Sequence, residues 1–147
     1  MTQETKYDKT MVKKKKSRRV WQLVPSKPPK PDVPESTKIF LSREANKVIE
    51  TVIKPKYLEP PPTDNDFNYV ADIYSRWYRN YFYFVAKYNC PSPNAISPSF
   101  ESKYVRLEYV GEDKYNFAYM RHTGQWWETH RELSMLECLN MAKDYPP

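Results

Sequence analysis

The sequence predicts an α+β fold: an antiparallel sheet of about five strands, arranged as a meander and covered by an N-terminal and a C-terminal helix. Apolar residues recur with helical spacing at 45–53 and again after residue 134. Between these segments they recur with a period of two, in stretches separated by short turns. An antiparallel meander with one apolar face needs helices to cover that face. The 147 residues are enough for one domain of this kind.

Residues 1–34 differ from the rest of the chain in charge and composition. They hold 10 Lys/Arg and 3 Asp/Glu, whereas residues 35–147 hold 14 Lys/Arg and 15 Asp/Glu. The run KKKKSRR at 13–19 and the proline-rich run PSKPPKPDVP at 25–34 oppose a packed element, because like charges repel and proline removes backbone donors. We therefore predict a disordered, basic and proline-rich arm at 1–34 and a single domain at 35–147.

The first helix of the domain is expected to begin at Ser42, a favourable N-cap, and to end at Pro55. The proline-rich stretch 57–66 then predicts a stiff loop. The apolar residues with the i, i+3, i+4, i+7 spacing of a buried helix face are Ala45, Val48, Ile49, Val52 and Ile53.

Five segments have the alternation, or the aromatic and β-branched content, that is typical of strands. They are residues 67–77, 79–88, 103–110, 115–120 and 126–130. In the third, Arg106 and Glu108 are expected to face outward. In the first, the residues expected on one face, with a break at Ser75, are Phe67, Tyr69, Ala71, Ile73 and Trp77.

The segment 79–86 carries bulky side chains on both faces. Its second face therefore requires cover from a helix or from a ligand. Two helices are predicted, so we expect helix packing to explain most of these aromatic residues.

The last helix has the clearest local signal in the sequence. Ser134 and Glu137 are spaced as a capping box, and Leu133 and Cys138 are placed as a hydrophobic staple around it. The helix is expected to end before Pro146.

The N-terminus lacks the apolar core of a signal peptide, and no run of 18 apolar residues exists. The two cysteines, Cys90 and Cys138, are then best explained as reduced thiols. We predict a cytoplasmic protein, or a nuclear one if its host is eukaryotic, with no membrane span.

No metal site, cofactor or catalytic group is predicted. Cys90, Cys138, His122 and His130 are the only soft ligands and do not have metal-site spacing. The two glycines are too far apart for a phosphate-binding loop. One enzymatic alternative stays open, in which His122, His130 or Cys90 meet in a cleft.

The basic arm predicts contact with a polyanion through counterion release. RNA or a ribonucleoprotein is the favoured ligand, and DNA, an anionic membrane, an import receptor or simple solubilisation are the alternatives. The short apolar run Val20–Val24 is either a sticky patch or a motif that docks on a protein partner. The predicted polyanion-binding residues are Lys13, Lys14, Lys15, Lys16, Arg18 and Arg19.

Arginine and histidine residues beside exposed aromatic rings could form a surface on which bases or sugars stack. Trp126 and Trp127 are neighbours in a strand, so we expect one to anchor the core and the other to lie on the opposite face near Arg121 and His122. Gly124 is expected to supply a positive φ to the preceding turn. The candidate contact residues are Arg76, Trp77, Arg79, Arg121, His122, Trp126 and Trp127.

The stretches that carry a family resemblance are SRWYRNYFYF, NAISPSFESKYVRLEYVG, YMRHTGQWWE and LSMLECL. Through them the chain resembles a family of small uncharacterised bacterial proteins, and one interpretation is that the family is cyanobacterial. The resemblance covers about three quarters of the chain and excludes the lysine-rich arm. It implies that these stretches belong to one domain, and it implies no activity.

The sequence thus favours a non-catalytic intracellular binding or accessory protein. Its arm would attract a polyanion and its aromatic sheet or hairpin surface would provide selectivity. The first alternative is a protein–protein adaptor or assembly factor without a nucleic-acid role, and the second is the small enzyme described above.

Overall fold

The structure, a computed structural model, describes residues 30–63 and 66–147. Its sheet is an antiparallel meander in which each of the five strands pairs with its neighbours in sequence. The strands are β1 (Tyr69–Tyr78), β2 (Tyr81–Asn89), β3 (Ser99–Gly111), β4 (Lys114–Met120) and β5 (Trp126–Ser134). The helices are α1 (Glu35–Val48), a π-helical turn (Ile49–Ile53), α2 (Lys54–Tyr57) and α3 (Met135–Ala142). The predicted α+β meander with a helix at each end is confirmed.

The N-cap of the first helix, Pro34, lies eight residues earlier than predicted. Pro34 precedes its first turn, where a missing N–H is harmless, and Glu35 is well placed for the positive end of the helix dipole. Ser42 therefore lies within α1 and is not its N-cap. The earlier start adds Leu41 to the buried face, one turn before Ala45.

Pro55 does not end the helix as predicted. In a regular α-helix its ring would clash with the carbonyl of Thr51. The π-helical turn Ile49–Ile53 loosens the hydrogen bonding at that point, and the chain continues as α2 to Tyr57. Of the predicted apolar face, Val52 is 38% exposed.

The first strand has a bulge that the sequence did not reveal. The register shifts between Val70 and Asp72, so Val70, opposite Tyr88, packs toward the core instead of Tyr69. Phe67 lies before the strand and is 66% exposed. Beyond the bulge, the predicted alternation through Ile73 holds.

Both helices pack on the same face of the sheet. The core joins Leu41, Ala45 and Ile49 of α1 and Cys138 of α3 to the side chains of the strands. The strand residues of this core are Ile73, Phe82, Phe84, Ala86, Tyr104, Val105, Leu107, Tyr109, Tyr115 and Phe117. Helix packing therefore explains Phe82 and Phe84 of β2, whereas neither described helix covers its second face, and our expectation that a helix covers that face is wrong.

The capping box at the start of α3 is confirmed. The backbone N–H of Glu137 donates to Ser134 Oγ at 3.2 Å, and the backbone N–H of Ser134 donates to Glu137 Oε1 at 2.9 Å. Cys138 is fully buried, and Leu133 packs against the core. The hydrogen bond from the Ser134 backbone lowers the pKa of the Glu137 carboxyl.

Substituting Ser134→Ala should lower the free energy of unfolding at pH 7 by about 1 kcal/mol, because an N-terminal donor loses its acceptor. The pKa of Glu137 is lower in the folded chain than in the unfolded one. The contribution of the Glu137 carboxylate to the free energy of unfolding is therefore complete above its ordinary pKa of 4.5, and it is lost as the pH falls through the lowered pKa of the folded chain. Urea unfolding of the native protein and of Ser134→Ala, at pH 7 and under acid, measures both effects. Ser134→Thr is the control, and an equal loss in both variants would exclude the capping hydrogen bond as the cause.

Candidate functional site

We use the name open face for the sheet surface opposite the helices. Ladder partners share a face, so the register assigns residues to it from all five strands. Its aromatic residues and cations are Tyr74, Arg76, Tyr78, Tyr81, Tyr83, Lys87, Lys103, Arg106 and Trp126. Val85 and Ala118 also belong to this face, yet they are 0% and 1% exposed. Larger neighbours on the open face therefore lie over them.

Arg106 lies at the centre of the open face, between two aromatic rings. Its guanidinium carbon is 4.9 Å from the ring centroid of Tyr81 and 4.9 Å from that of Trp126. Its Nε is buried and has no hydrogen-bond partner among residues 30–63 and 66–147. The two rings hold the guanidinium in place by cation–π attraction.

Lys103 and Tyr83 extend this arrangement into one continuous group. The Lys103 ammonium lies 4.6 Å from the Tyr83 ring centroid, and the Tyr83 ring is 6.0 Å from Tyr81 and 5.7 Å from Trp126. Trp126 belongs to β5 and Tyr83 to β2, so the Trp126 side chain must lie down across the sheet to reach it. We call Tyr81, Tyr83, Lys103, Arg106 and Trp126 the cation–aromatic cluster.

A second network lies on β1 and β3. The Tyr74 hydroxyl donates to the Glu101 carboxylate, and Arg76 donates to both oxygens of the same carboxylate at 2.9 Å. Burial, and then the hydrogen bond to Glu101, raise the pKa of Tyr74 to about 12. The Tyr74 and Arg76 hydrogen bonds lower the pKa of Glu101.

Arg79 is held at the corner of the open face by an unusual turn. It connects β1 to β2 with φ of 56°, which is rare for a residue with a side chain. Asn80 fixes the turn to β3, because the Tyr109 backbone N–H donates to its carbonyl at 2.8 Å. The Arg79 guanidinium lies 5.1 Å from the Tyr78 ring centroid.

The acids of the open face are already neutralised. Each of its four carboxylates forms an ion pair: Asp72 with Lys54 at 3.2 Å, Glu101 with Arg76 at 2.9 Å, Glu108 with Lys30 at 3.0 Å and Glu128 with Arg131 at 3.2 Å. By contrast Arg79, Lys103 and Arg106 form no ion pair within the part of the chain that the structure describes. Arg79, Lys103 and Arg106 are thus the cations of the described face that both rest on an aromatic ring and form no ion pair with a described carboxylate.

The end of the predicted arm joins the body at this same face. Lys30 pairs with Glu108, donates to the Tyr81 hydroxyl, and lies 4.5 Å from the Tyr81 ring centroid. Pro31 lies beside Gly111, and Val33 packs against the core. Residues 1–29 are therefore connected to the protein at the edge of the open face. The predicted polyanion-binding residues at 13–19 and the segment Val20–Val24 lie outside the described residues.

The structure separates the predicted contact residues into three places. Arg76, Arg79 and Trp126 lie on the open face or at its corner. Trp77 lies on the helix side, where its indole N–H donates to the Lys38 carbonyl at 3.2 Å and its ring meets Phe82 edge-on at 5.1 Å.

The remaining predicted residues surround the β4–β5 turn. Trp127 pairs with Tyr119 on the helix side of the sheet, is 51% exposed, and has the Arg121 guanidinium 4.6 Å from its ring centroid. His122 is exposed in the turn, and Gly124 has the predicted positive φ, at 83°. The two tryptophans occupy opposite faces as predicted, but neither belongs to the core.

Cys90 and His130, two residues of the suggested enzymatic alternative, do not meet in one cleft. Cys90 is hydrogen-bonded to Pro98, before the start of β3, whereas His130 lies opposite Phe117 and hence near Leu107. Pro98 and Leu107, the residues nearest to Cys90 and His130 along this part of the chain, are about 30 Å apart in the direction of β3. Residues 30–63 and 66–147 contain no group of three or more His, Cys, Asp or Glu side chains that could hold a metal ion. Over the same residues, no helix combines the length and the apolar character needed to cross a bilayer.

Comparison with known proteins identifies the family. The model of a domain of unknown function, DUF3024, matches residues 31–146. The chain belongs to the DUF3024 family. The matched segment begins where the described chain joins the open face. It excludes the lysine-rich run at 13–19, as does the family resemblance described from the sequence. No curated protein and no solved structure is detectably similar to the chain.

Sequence reasoning missed four of the five members of the cation–aromatic cluster of this DUF3024 domain. Tyr81 and Tyr83 belong to the aromatic stretch in which a stacking platform is one interpretation, but the core explanation is favoured there, and Arg106 is predicted to face outward without a connection to them. The usable signal was the alternation of β2 and β3, which places Tyr81, Tyr83 and Arg106 on the face opposite Phe82 and Leu107. Lys103 reaches that face only because the pairing of β2 with β3 shifts register between Phe84 and Val85.

We expect Tyr74→Phe to raise the pKa of Glu101 toward its ordinary value of 4.5, because the carboxylate loses its strongest hydrogen bond. Arg76→Gln should also raise it, because the carboxylate loses two hydrogen bonds and a nearby positive charge, and Tyr78→Phe, on the same strand, should leave it unchanged. Carboxyl chemical shifts followed by NMR against pH measure each value. An unchanged Glu101 titration in Tyr74→Phe would show that the network does not form.

Proposed function

We propose that this DUF3024 protein is a non-catalytic binding protein of the cytoplasm whose ligand is RNA, free or within a ribonucleoprotein. The open face and the basic arm would contact the ligand together. The observation that carries the proposal is the set of ring-supported cations, Arg79, Lys103 and Arg106, which no described carboxylate neutralises.

Charge complementarity supports a polyanionic ligand. A phosphate that reaches Arg106 or Lys103 does not have to displace a described carboxylate, so the desolvation cost of breaking an ion pair is avoided. Cations that contact phosphates also release condensed counterions from the nucleic acid. The buried, unpartnered Nε of Arg106 fixes which edge of its guanidinium is free to meet a ligand.

The aromatic rings beside these cations support RNA over other polyanions. Heparin-like chains or anionic lipids would contact the cations and make no use of the exposed ring surfaces of Tyr81 and Trp126. Nucleic acids offer both phosphates and flat bases, and proteins that bind them combine basic grooves with aromatic side chains.

The place where the arm begins supports joint use of the two parts. Lys30 lies on the open face, so the cations at 13–19 are tethered to the same surface by the intervening 10 residues. A ligand held on the open face then experiences those cations at high effective concentration. The free thiols Cys90 and Cys138 are compatible with the reducing cytoplasm that we propose.

Two full-chain variants test the proposal: Lys13–Lys16 all changed to Gln, and Lys103→Gln combined with Arg106→Gln. Fluorescence anisotropy with a labelled RNA oligonucleotide should show weaker binding for both. The slope of log affinity against log salt should flatten by about 2.8 for the arm variant and about 1.4 for the face variant, at about 0.7 per lost phosphate contact with a single strand.

The matched control removes two cations from α1 on the opposite side, Arg43→Gln with Lys47→Gln. Its affinity and salt slope should equal those of the native chain. Circular dichroism checks that every variant is folded. A control that loses as much affinity as the Lys103/Arg106 variant would reject the open face as the contact surface.

An adaptor role is the second candidate function, and one observation favours it. Between α1 and the start of α3, an apolar groove is lined by Ile39, Phe40, Met135 and Leu136, of which Ile39 is 59% and Leu136 is 73% exposed. A protein partner with an apolar segment would suit this groove. The adaptor role would be favoured over RNA binding if a protein partner stays bound to the chain after nuclease treatment in high salt, and if Leu136→Ser abolishes that binding.

A further inference from the structure

We infer that the ligand of the open face is single-stranded, and that its unpaired bases stack on the exposed rings of this face, Trp126, Tyr81 and Tyr78. This inference rests on the proposed function and names its substrate class. It depends on the orientation of the rings, which is independent of the charges discussed above.

The ring of Trp126 lies along the sheet instead of projecting from it. Two strands separate β5 from β2, yet the Trp126 and Tyr83 ring centroids are 5.7 Å apart with planes inclined by 38°. Small side chains make this possible, because Ala118 in the intervening β4 is covered to 1% exposure. Trp126 itself remains partly exposed, so its outer surface is available to a planar ligand.

The rings continue as a row across the face. From Trp126 the contacts lead to Tyr83 and then to Tyr81 at 6.0 Å, and Tyr78 lies opposite Tyr81 in the next strand with 54% of its surface exposed. Five strands at the usual separation make the face about 19 Å wide. A surface of that width accommodates about four nucleotides, the lower end of the range for small single-strand-binding folds.

A duplex cannot use this row. In A-form RNA the bases are stacked on each other and the major groove is too deep and narrow for side chains to reach them. A duplex would therefore contact only the cations of the open face and of the arm. Bases of a single strand can turn outward and stack, while Arg106 and Lys103, lying between the rings, meet the phosphates on either side.

The length of the strand should determine which part of the protein is used. An oligonucleotide of about four residues fills the open face, whereas a longer one also passes the edge at Lys30, where the arm begins. The arm cations should therefore contribute to binding of long oligonucleotides and contribute little to that of the shortest.

The experiment compares a labelled 12-nucleotide single-stranded RNA with a 12-base-pair duplex in the full chain, at one salt concentration. We expect the single strand to bind at least about tenfold more tightly. Trp126→Ala should remove most of that preference, because single-strand binding loses a stacked base as well as the ring beside Arg106, whereas duplex binding loses only the ring. Trp127→Ala is the matched control, because it changes the neighbouring tryptophan on the other face, and it should keep the native preference.

Tyr78→Ala is the second variant, because this exposed side chain can be removed without disturbing the core. It should lower single-strand affinity by several-fold and lower duplex affinity much less, which keeps the test informative if Trp126→Ala does not fold. Equal binding of both RNAs, with no selective effect of either variant, would overturn the inference and leave the proposed function standing.

Two further results would also overturn the inference. Binding of neither RNA would refute the proposed function together with it. Self-association measured by sedimentation, lost in Trp126→Ala and unaffected by RNA, would assign the open face to a second copy of the chain.

Discussion

The packing of α1 and α3 on a single face of the sheet determines the rest of the structure. A five-stranded sheet has two surfaces, and burial of Leu41, Ala45 and Cys138 against Phe82 and Phe84 uses both helices on one of them. The other surface has no described helix to cover Val85 and Ala118, so large side chains of its own cover them. Tyr83 and Trp126 shield this apolar floor, and their rings in turn hold Arg106 and Lys103. The cation–aromatic cluster is thus a consequence of the uneven distribution of helices.

Local patterns were sufficient to predict most of the fold. The capping box at Ser134, the alternation of β3 and the turn at Gly124 depend on residues close in sequence, and they appear as expected. The errors arose where distant contacts decide. Ser42 has the side chain of an N-cap, but the burial of Leu41 against the sheet extends the helix before it. Pro55 would end a regular α-helix, but the π-helical turn before it lets the helix continue. The bulge between Val70 and Asp72 likewise depends on the pairing of β1 with β2.

The candidate site was harder to predict because it depends on which face the helices occupy. Alternation shows that Tyr81 and Tyr83 oppose Phe82, but it does not say which set is buried by a helix. It also cannot show that a tryptophan in β5 reaches a tyrosine in β2. Arg76, Arg79 and Trp126 were selected for being basic or aromatic, which is also why Trp77, a helix-side residue, was selected with them. The position of Lys30 on the open face gives the basic arm a structural connection that its composition could not reveal.

Hydroxyl-radical footprinting of the full chain with and without single-stranded RNA tests most directly whether the open face is the binding surface. The account predicts RNA-dependent protection of Tyr78, Tyr81 and Trp126, with unchanged oxidation of Phe40 and Leu136 on the helix side. Protection confined to Phe40 and Leu136, with the open-face residues oxidised equally in both samples, would contradict it.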